Sequence, residues 1–364
     1  MKNIFSILLI LLTACIASAQ SAESWYKVYT GKVGNLPATL HLHKAGKDYS
    51  GYIWFDQNQW PMQVYPGEPV KGTDSLGISA ISGPIALNLT GVFTPNSFSG
   101  NSTLSKDNNA GKKAPFQLQL NAEKTFTPFA YYFAEGSAKL APQYKNESQC
   151  RYFSTAAWPV GSGILNEALK KQIQQTLGIK TPAAGIAKWI IDDKERTLNA
   201  WKRENGKLSP KEASEMGLSL SVEQENKILV MYENDQHLTL ANYNFAYTGG
   251  AHGNFVTTLA TFNKQSGRKL TLNDVITPAG NKALPLILDR VARLQYSVKN
   301  NKPLDQNYFL VNTIKPSENF YVTTTGIGFL YAPYEIKSFA DGEVNLLVPF
   351  TALKPYLQPA FGVK

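Results

Sequence analysis

The chain has 364 residues, of which 43% are hydrophobic and 12% aromatic, enough apolar surface to bury a full core and enough length for two domains. That composition excludes a disordered or low-complexity chain. The formal charge of +9 is scattered, with no run of five basic residues, which argues against a nucleic-acid tract and for a mild preference for anionic surfaces such as cell-envelope polymers.

Met1-Lys2-Asn3 followed by Ile4 to Leu12 makes a short basic region and an apolar core too brief to span a bilayer, the pattern of an export signal. The expected signal peptide is residues 1–19, with cleavage after Ala17-Ser18-Ala19, and the mature protein is periplasmic or secreted. Leu12-Thr13-Ala14-Cys15 also resembles a lipoprotein box, and lipidation at Cys15 is the one route to membrane attachment. Removal of residues 1–19 takes away Lys2 alone among the charges, so +9 becomes +8. Cys150 is then the remaining thiol; no internal disulfide can form, and a buried, inert side chain is expected.

Residues 24–120 are a succession of short aromatic or β-branched runs broken by glycine, asparagine and proline. Tyr49-Ser-Gly-Tyr, Leu89-Thr-Gly-Val-Phe and Phe98-Ser-Gly-Asn each set glycine beside an aromatic, as bending strands of small barrels require. The expectation is an all-β domain, a meander or small barrel. His41 and His43 would share one strand face at metal-ligand spacing, but no third ligand follows, so no metal is expected. Tyr52, Trp54, Phe55, Trp60 and Tyr65 form an aromatic cluster in which alternation favours core packing over sugar stacking. The sequons at Asn88, Asn101 and Asn146 carry no weight in a bacterial exporter.

Pro128, Gly136 and Pro142 mark a boundary within 121–150, and a second domain is expected over 125–358. Its first strands are Tyr131 to Lys139 and Cys150 to Trp158. Leu165, Ala168, Leu169, Ile173 and Leu177 make a helical stripe ended by Gly178. A second helix is expected from Pro182, capped by Thr181, toward Trp201, and Ser209-Pro210-Lys211-Glu212 is a capping box for a third. Period two follows through Leu218, Leu220, Val222, Ile228, Val230 and Tyr232. After a central hairpin, Leu284, Leu288, Val291 and Leu294 mark another helix with Pro285 in its first turn. Strands close the chain at Phe320 to Thr324, Ile327 to Tyr331 and Val344 to Pro349. Helices inserted in blocks among strands indicate α+β architecture with a mainly antiparallel sheet.

The hairpin is the focus. Its tip, Tyr243 to Gly253, reads Tyr-Asn-Phe-Ala-Tyr-Thr-Gly-Gly-Ala-His-Gly, between strand-like runs. Three glycines at 249, 250 and 253 imply positive φ or a backbone that something must approach. Tyr-Thr-Gly-Gly-Ala-His-Gly, Asn263 to Gly267, Leu270 to Ile276, Phe320 to Phe329, Ala332-Pro-Tyr-Glu-Ile336, Ala340-Asp-Gly342 and Val348-Pro-Phe350 together resemble the extracellular domain of RsiV-type anti-sigma factors, shared as the accessory domain of PdaC-type peptidoglycan deacetylases. The resemblance covers about the last two thirds of the chain. Residues 24–120 lie outside it.

No nucleophile elbow, Walker loop, zinc-protease helix or dinucleotide fingerprint occurs, and the deacetylase metal motifs of PdaC-type enzymes have no counterpart. The resemblance therefore implies a recognition domain without its effectors, and no cofactor or catalytic residue is expected. The candidate ligand-binding residues are Tyr247, Gly249, Gly250 and His252 at the tip, with Tyr334 and Glu335. The alternative is a peptidoglycan-modifying hydrolase or deacetylase with His252 and Glu335 as acid and base. The plainer reading packs Tyr334 and has Glu335 accept backbone N–H bonds from the glycine loop. The expected partner is an envelope glycan or a lysozyme-like protein, and no nucleic acid. A cationic lysozyme would favour an acidic receptor, against the +8 of the mature chain, although screening over about 8 Å lets a local patch act alone.

Overall fold

A computed structural model of the protein describes residues 23–361 apart from 57–60, 68–74, 84, 107–108, 122–125, 181–184 and 307. The export segment with Cys15, Trp60 and the Thr181 cap lie outside the described residues.

Eight strands, β1 (Ser24–Val33), β2 (Leu36–Ala45), β3 (Asp48–Phe55), β4 (Met62–Pro66), β5 (Ser75–Ser82), β6 (Ile85–Phe93), β7 (Ser97–Lys106) and β8 (Asn109–Leu120), pair in sequence and close into an antiparallel barrel through β1 and β8. Closure removes the sheet edges that an open meander would expose. Tyr29, Leu40, Leu42, Ile53, Leu87, Phe98 and Leu118 fill the bore. The glycine-aromatic pieces fall where the wall bends: Gly91 lies opposite Gly100, and a Cβ on either would sit 2.0 Å from the Ser99 carbonyl or 2.2 Å from that of Thr90.

The α+β region begins with β9 (Phe129–Lys139) and β10 (Gln149–Pro159). Three helices follow, α1 (Ile164–Thr176), α2 (Ile186–Asn205) and α3 (Pro210–Met216), and then β11 (Val222–Glu233), β12 (His237–Tyr247) and β13 (Asn254–Asn263) complete a five-stranded sheet of order β13-β12-β11-β10-β9. Only β10 and β11 run parallel, and a parallel pair needs a crossover, which is why the helices are inserted as one block. Past α4 (Leu272–Val275) and α5 (Pro278–Gln295), β14 (Phe320–Val322), β15 (Gly326–Tyr331) and β16 (Val344–Pro349) form a separate antiparallel sheet over its own core.

Four local expectations are corrected. The described part of α2 starts at Ile186 behind Gly185, not at Pro182. Leu218 and Leu220 sit in a 3-10 turn, so the period of two begins at Val222. Pro285 is the eighth residue of α5, beyond the first turn, and costs the helix one N–H bond there. Leu294 is 84% exposed, because the buried stripe runs through Leu284, Leu288 and Ala292 at four-residue spacing.

The barrel does not stand apart. Successive residues of β2 and β3 point to opposite faces, so while Leu40, Leu42 and Ile53 enter the bore, His41, His43, Tyr52 and Trp54 point outward. That outer face is covered by β9 and β11. The Trp54 indole donates to the Met231 carbonyl at 2.7 Å, and His43 Nε2 accepts the Val230 N–H at 3.1 Å. His41 Nδ1 lies 2.7 Å from the Tyr26 hydroxyl. Burial holds the His41 imidazole down at about 3 and His43 well below its ordinary value, so both are neutral. The spacing that suggested metal ligands serves docking. Trp54 and Tyr52 join the core of the five-stranded sheet, whereas Tyr65 is left 38% exposed. The far end of the connection is pinned as well: Thr127 donates its N–H and hydroxyl to the buried Glu233 carboxylate, which Lys264 neutralises at 2.6 Å. Cys150 is fully buried and its thiol pKa is pushed up by burial.

Candidate functional site

The β12–β13 hairpin turns over residues 248–253, and its three glycines stand in three different surroundings. Gly249 has φ +84, and a Cβ on it would lie 1.9 Å from the Ser219 carbonyl, so it lets the tip pack on the preceding 3-10 turn. Gly253 makes room for the Phe245 ring, 2.4 Å from where its Cβ would be. Gly250 has open space around it and no positive φ. It is the one tip glycine whose small size no contact among the described residues requires.

Period two along β12 places Tyr243, Phe245 and Tyr247 on the face away from α1 and α2. From Tyr243 a row of rings crosses the hairpin. Tyr243 lies 6.3 Å from Phe255, Phe255 meets Phe339 edge-on at 5.6 Å, and Phe339 is stacked by His252 at 4.2 Å and flanked by Tyr334 at 5.6 Å. The outer end is open. His252 is exposed, with Nδ1 2.9 Å from the Gly253 carbonyl, and Tyr334 is 58% exposed.

Tyr334 is also one of only four non-glycine residues with positive φ among those described, at +69. Such a conformation costs of order 1 kcal/mol for a bulky residue and is kept where the surroundings impose it. Here a turn imposes it: the Tyr334 N–H donates to the Lys337 carbonyl at 3.0 Å, and Glu335 Oε2 accepts the Ala332 N–H at 2.9 Å. The turn presents Tyr334 outward instead of packing it, contrary to the plainer expectation. Glu335 braces its own turn. Among the described residues it makes no hydrogen bond to the glycine loop or to His252.

Of the candidate residues, then, His252 and Tyr334 are brought together through Phe339, Gly249 is structural, and Gly250 borders the open end. Tyr247 pairs with Glu223 on the other side of the hairpin and is half-buried. Sequence reading missed Phe339, Phe255 and Tyr243. Phe339 was within reach, since it directly precedes the quoted Ala340-Asp-Gly342 piece.

Beside Phe255 the row borders a cavity of about 170 Å³ between barrel and α+β region, reaching Gln63 and Tyr65 on one side and Glu343 and Asn345 on the other. Glu343 accepts the Thr257 N–H and, at 2.8 Å, the Thr257 hydroxyl. Burial raises its pKa in spite of those bonds. On the sheet's open half lies a wider groove of about 700 Å³ with Asp48, Glu135, Glu223 and Glu225. Its carboxylates are largely paired, Glu223 with Arg151 and both Asp48 and Glu225 with Lys227. No group of three or more metal-ligating side chains occurs among the described residues, and none of their helices is long and apolar enough to cross a membrane.

Two segments match known families. Residues 144–255 match the family described as deacetylase PdaC, and residues 269–351 match the protein of unknown function DUF3298. A comparison with curated proteins gives no match. Among solved structures, a DUF3298 member from Bacteroides fragilis is similar at a TM-score of 0.57 and 23% identity, over 65% of this chain and 96% of its own. A DUF3298 protein from Pseudomonas aeruginosa gives a TM-score of 0.45 at 14% identity, over 64% and 96%. The first likeness is one of fold.

Proposed function

We propose that this is an exported, noncatalytic cell-envelope protein that binds an envelope glycan along the row Tyr243, Phe255, Phe339, His252 and Tyr334. The observation that carries the reading is the exposed end of that row: three rings from two separated loops converge on one surface, and Tyr334 is held there in a costly backbone conformation. Sugar rings stack on such faces through their apolar C–H sides, burying apolar area against the large aromatic surfaces. The matches to a peptidoglycan deacetylase family and to DUF3298 support an envelope setting. Among the described residues no hydrogen bond or ion pair joins His252 to a carboxylate, which weighs against the hydrolase alternative at this position.

A lysozyme-type protein partner is the second reading. What favours it is the groove with Asp48, Glu135, Glu223 and Glu225, a local acidic stretch in a basic chain. The internal pairing of those carboxylates leaves little net field, so the glycan reading stands first. Calorimetric titration of the full mature chain with soluble peptidoglycan fragments and with lysozyme separates the two. We expect the fragments to bind, Tyr334→Ala to weaken binding at least tenfold, and Gly250→Val to obstruct it without changing the fold. Lysozyme binding that Tyr334→Ala leaves intact would move the site to the groove, and binding of neither ligand would remove the proposal.

A further inference from the structure

Among the described residues, the cavity beside Phe255 holds a carboxylate without a cation. Gln63 and Tyr65 line it from the barrel, Phe255, Asp341, Glu343 and Asn345 from the α+β region, and no lysine, arginine or histidine is among its described lining residues. Asp341 is already matched, to Lys337 at 3.0 Å and to the Ser338 hydroxyl at 2.6 Å. Glu343 is matched to no positive group among the described residues; it has the Thr257 N–H and hydroxyl only. A half-buried carboxylate in that state carries a desolvation cost, and a cation brought by a ligand would relieve it. The field of Glu343 is felt around the cavity, since together with burial it raises the pKa values of Tyr52, Tyr65 and Tyr243.

Size narrows the cation's nature. About 170 Å³ is below the usual volume of a whole ligand pocket, and it suits one polar group projecting from a larger molecule. The described lining offers two carboxylates, two amide side chains and tyrosine hydroxyls, a set matched to a donor with several N–H bonds. Phe255 belongs to both the cavity and the aromatic row, so one molecule can occupy both.

We propose that this cavity is a subsite for a primary ammonium group of the envelope polymer lying on the aromatic row, with Glu343 as its counter-ion. The inference rests on the glycan reading of the row. It makes the site composite, because the barrel supplies one wall. The ammonium belongs either to an N-unsubstituted amino sugar or to the diamino acid side chain of a stem peptide.

Two matched pairs of probes test it on the full mature chain: glucosamine tetramer against its N-acetylated twin, and a lysine-containing muropeptide against the same molecule acetylated on the lysine. The amine-bearing member of one pair is expected to bind at least tenfold more tightly, and the pair that discriminates identifies the source. Glu343→Gln, and separately Gln63→Lys, which places the protein's own ammonium in the cavity from the half-buried barrel side, should each erase the preference, whereas Tyr334→Ala should weaken both members alike. Equal binding within both pairs, or a preference that survives both cavity substitutions, overturns the subsite. If Tyr334→Ala still weakens binding in that case, the aromatic row stands without it.

Discussion

Strand β11 serves two environments along one length. Residues 222–227 are half-buried on an open sheet face, whereas 228–233 are buried throughout, roofed by the barrel. A register shift interrupts the alternation between Val230 and Tyr232, and the difference in burial follows what covers the sheet. In the roofed half Met231, Trp54 and His43 are locked by hydrogen bonds across the junction. In the open half the half-buried Tyr243, Phe245 and Tyr247 extend toward a partly exposed hairpin tip. The roofed half gives rigidity, and a rigid strand is what holds an exposed row of rings in register.

Replacing Trp54 should show how much the roof matters. Trp54→Ala removes a buried indole and leaves the Met231 carbonyl without its donor, and is expected to cost about 3–5 kcal/mol in denaturant unfolding. A loss under about 1 kcal/mol would mean that barrel and sheet are independent.

Next in size is the contrast between neighbouring glycines. Gly249→Val forces a side chain into the Ser219 carbonyl at positive φ and should cost upwards of about 2 kcal/mol. Gly250→Val should change stability by less than about 0.5 kcal/mol. Equal costs would contradict the separation of a structural glycine from one kept for access.

The roofed half also predicts a pH dependence. The His41 pKa is lowered to about 3 when folded, against about 6.5 unfolded. The unfolded state therefore takes up a proton that the folded state refuses, so stability is full above about pH 6.5 and falls with pH until about 3. Between pH 7 and 5 the loss from His41 is roughly 2 kcal/mol, and His43 adds in the same direction. Unfolding midpoints of the wild type and His41→Gln at both pH values check this; a pH-independent wild type would contradict buried neutral imidazoles. The smallest expected effect is Tyr334→Ala, within about 0.5 kcal/mol of wild-type stability, because its ring is mostly in solvent.

The barrel, the helix α1, the Ser209 capping box and the three closing strands were legible because each carries a local signal: glycine beside aromatics, a stripe at helical spacing, a serine three residues before a glutamate. The junction was not. His41 and Trp54 look like any alternating strand residues, and only the arrival of β11 from more than 170 residues away decides that the outward face is buried. The site was half legible. The glycines announced a crowded tip, but a glycine run does not distinguish crowding by the chain, at 249 and 253, from access for a ligand, at 250. Phe339 and Glu343 join the hairpin only through tertiary contacts, which no spacing along the chain encodes.

A ligand on the aromatic row touches chiefly the hairpin tip and the Tyr334 turn, and reaches the roofed half of β11 only at Met231, which lines the cavity. Amide hydrogen exchange of the full mature chain, with and without saturating soluble peptidoglycan fragments, reads both at once. Added protection is expected over residues 247–256 and 332–343, exceeding any over 228–233, where Met231 alone lines the cavity. Protection that appears elsewhere and spares the hairpin and the Tyr334 turn would contradict it.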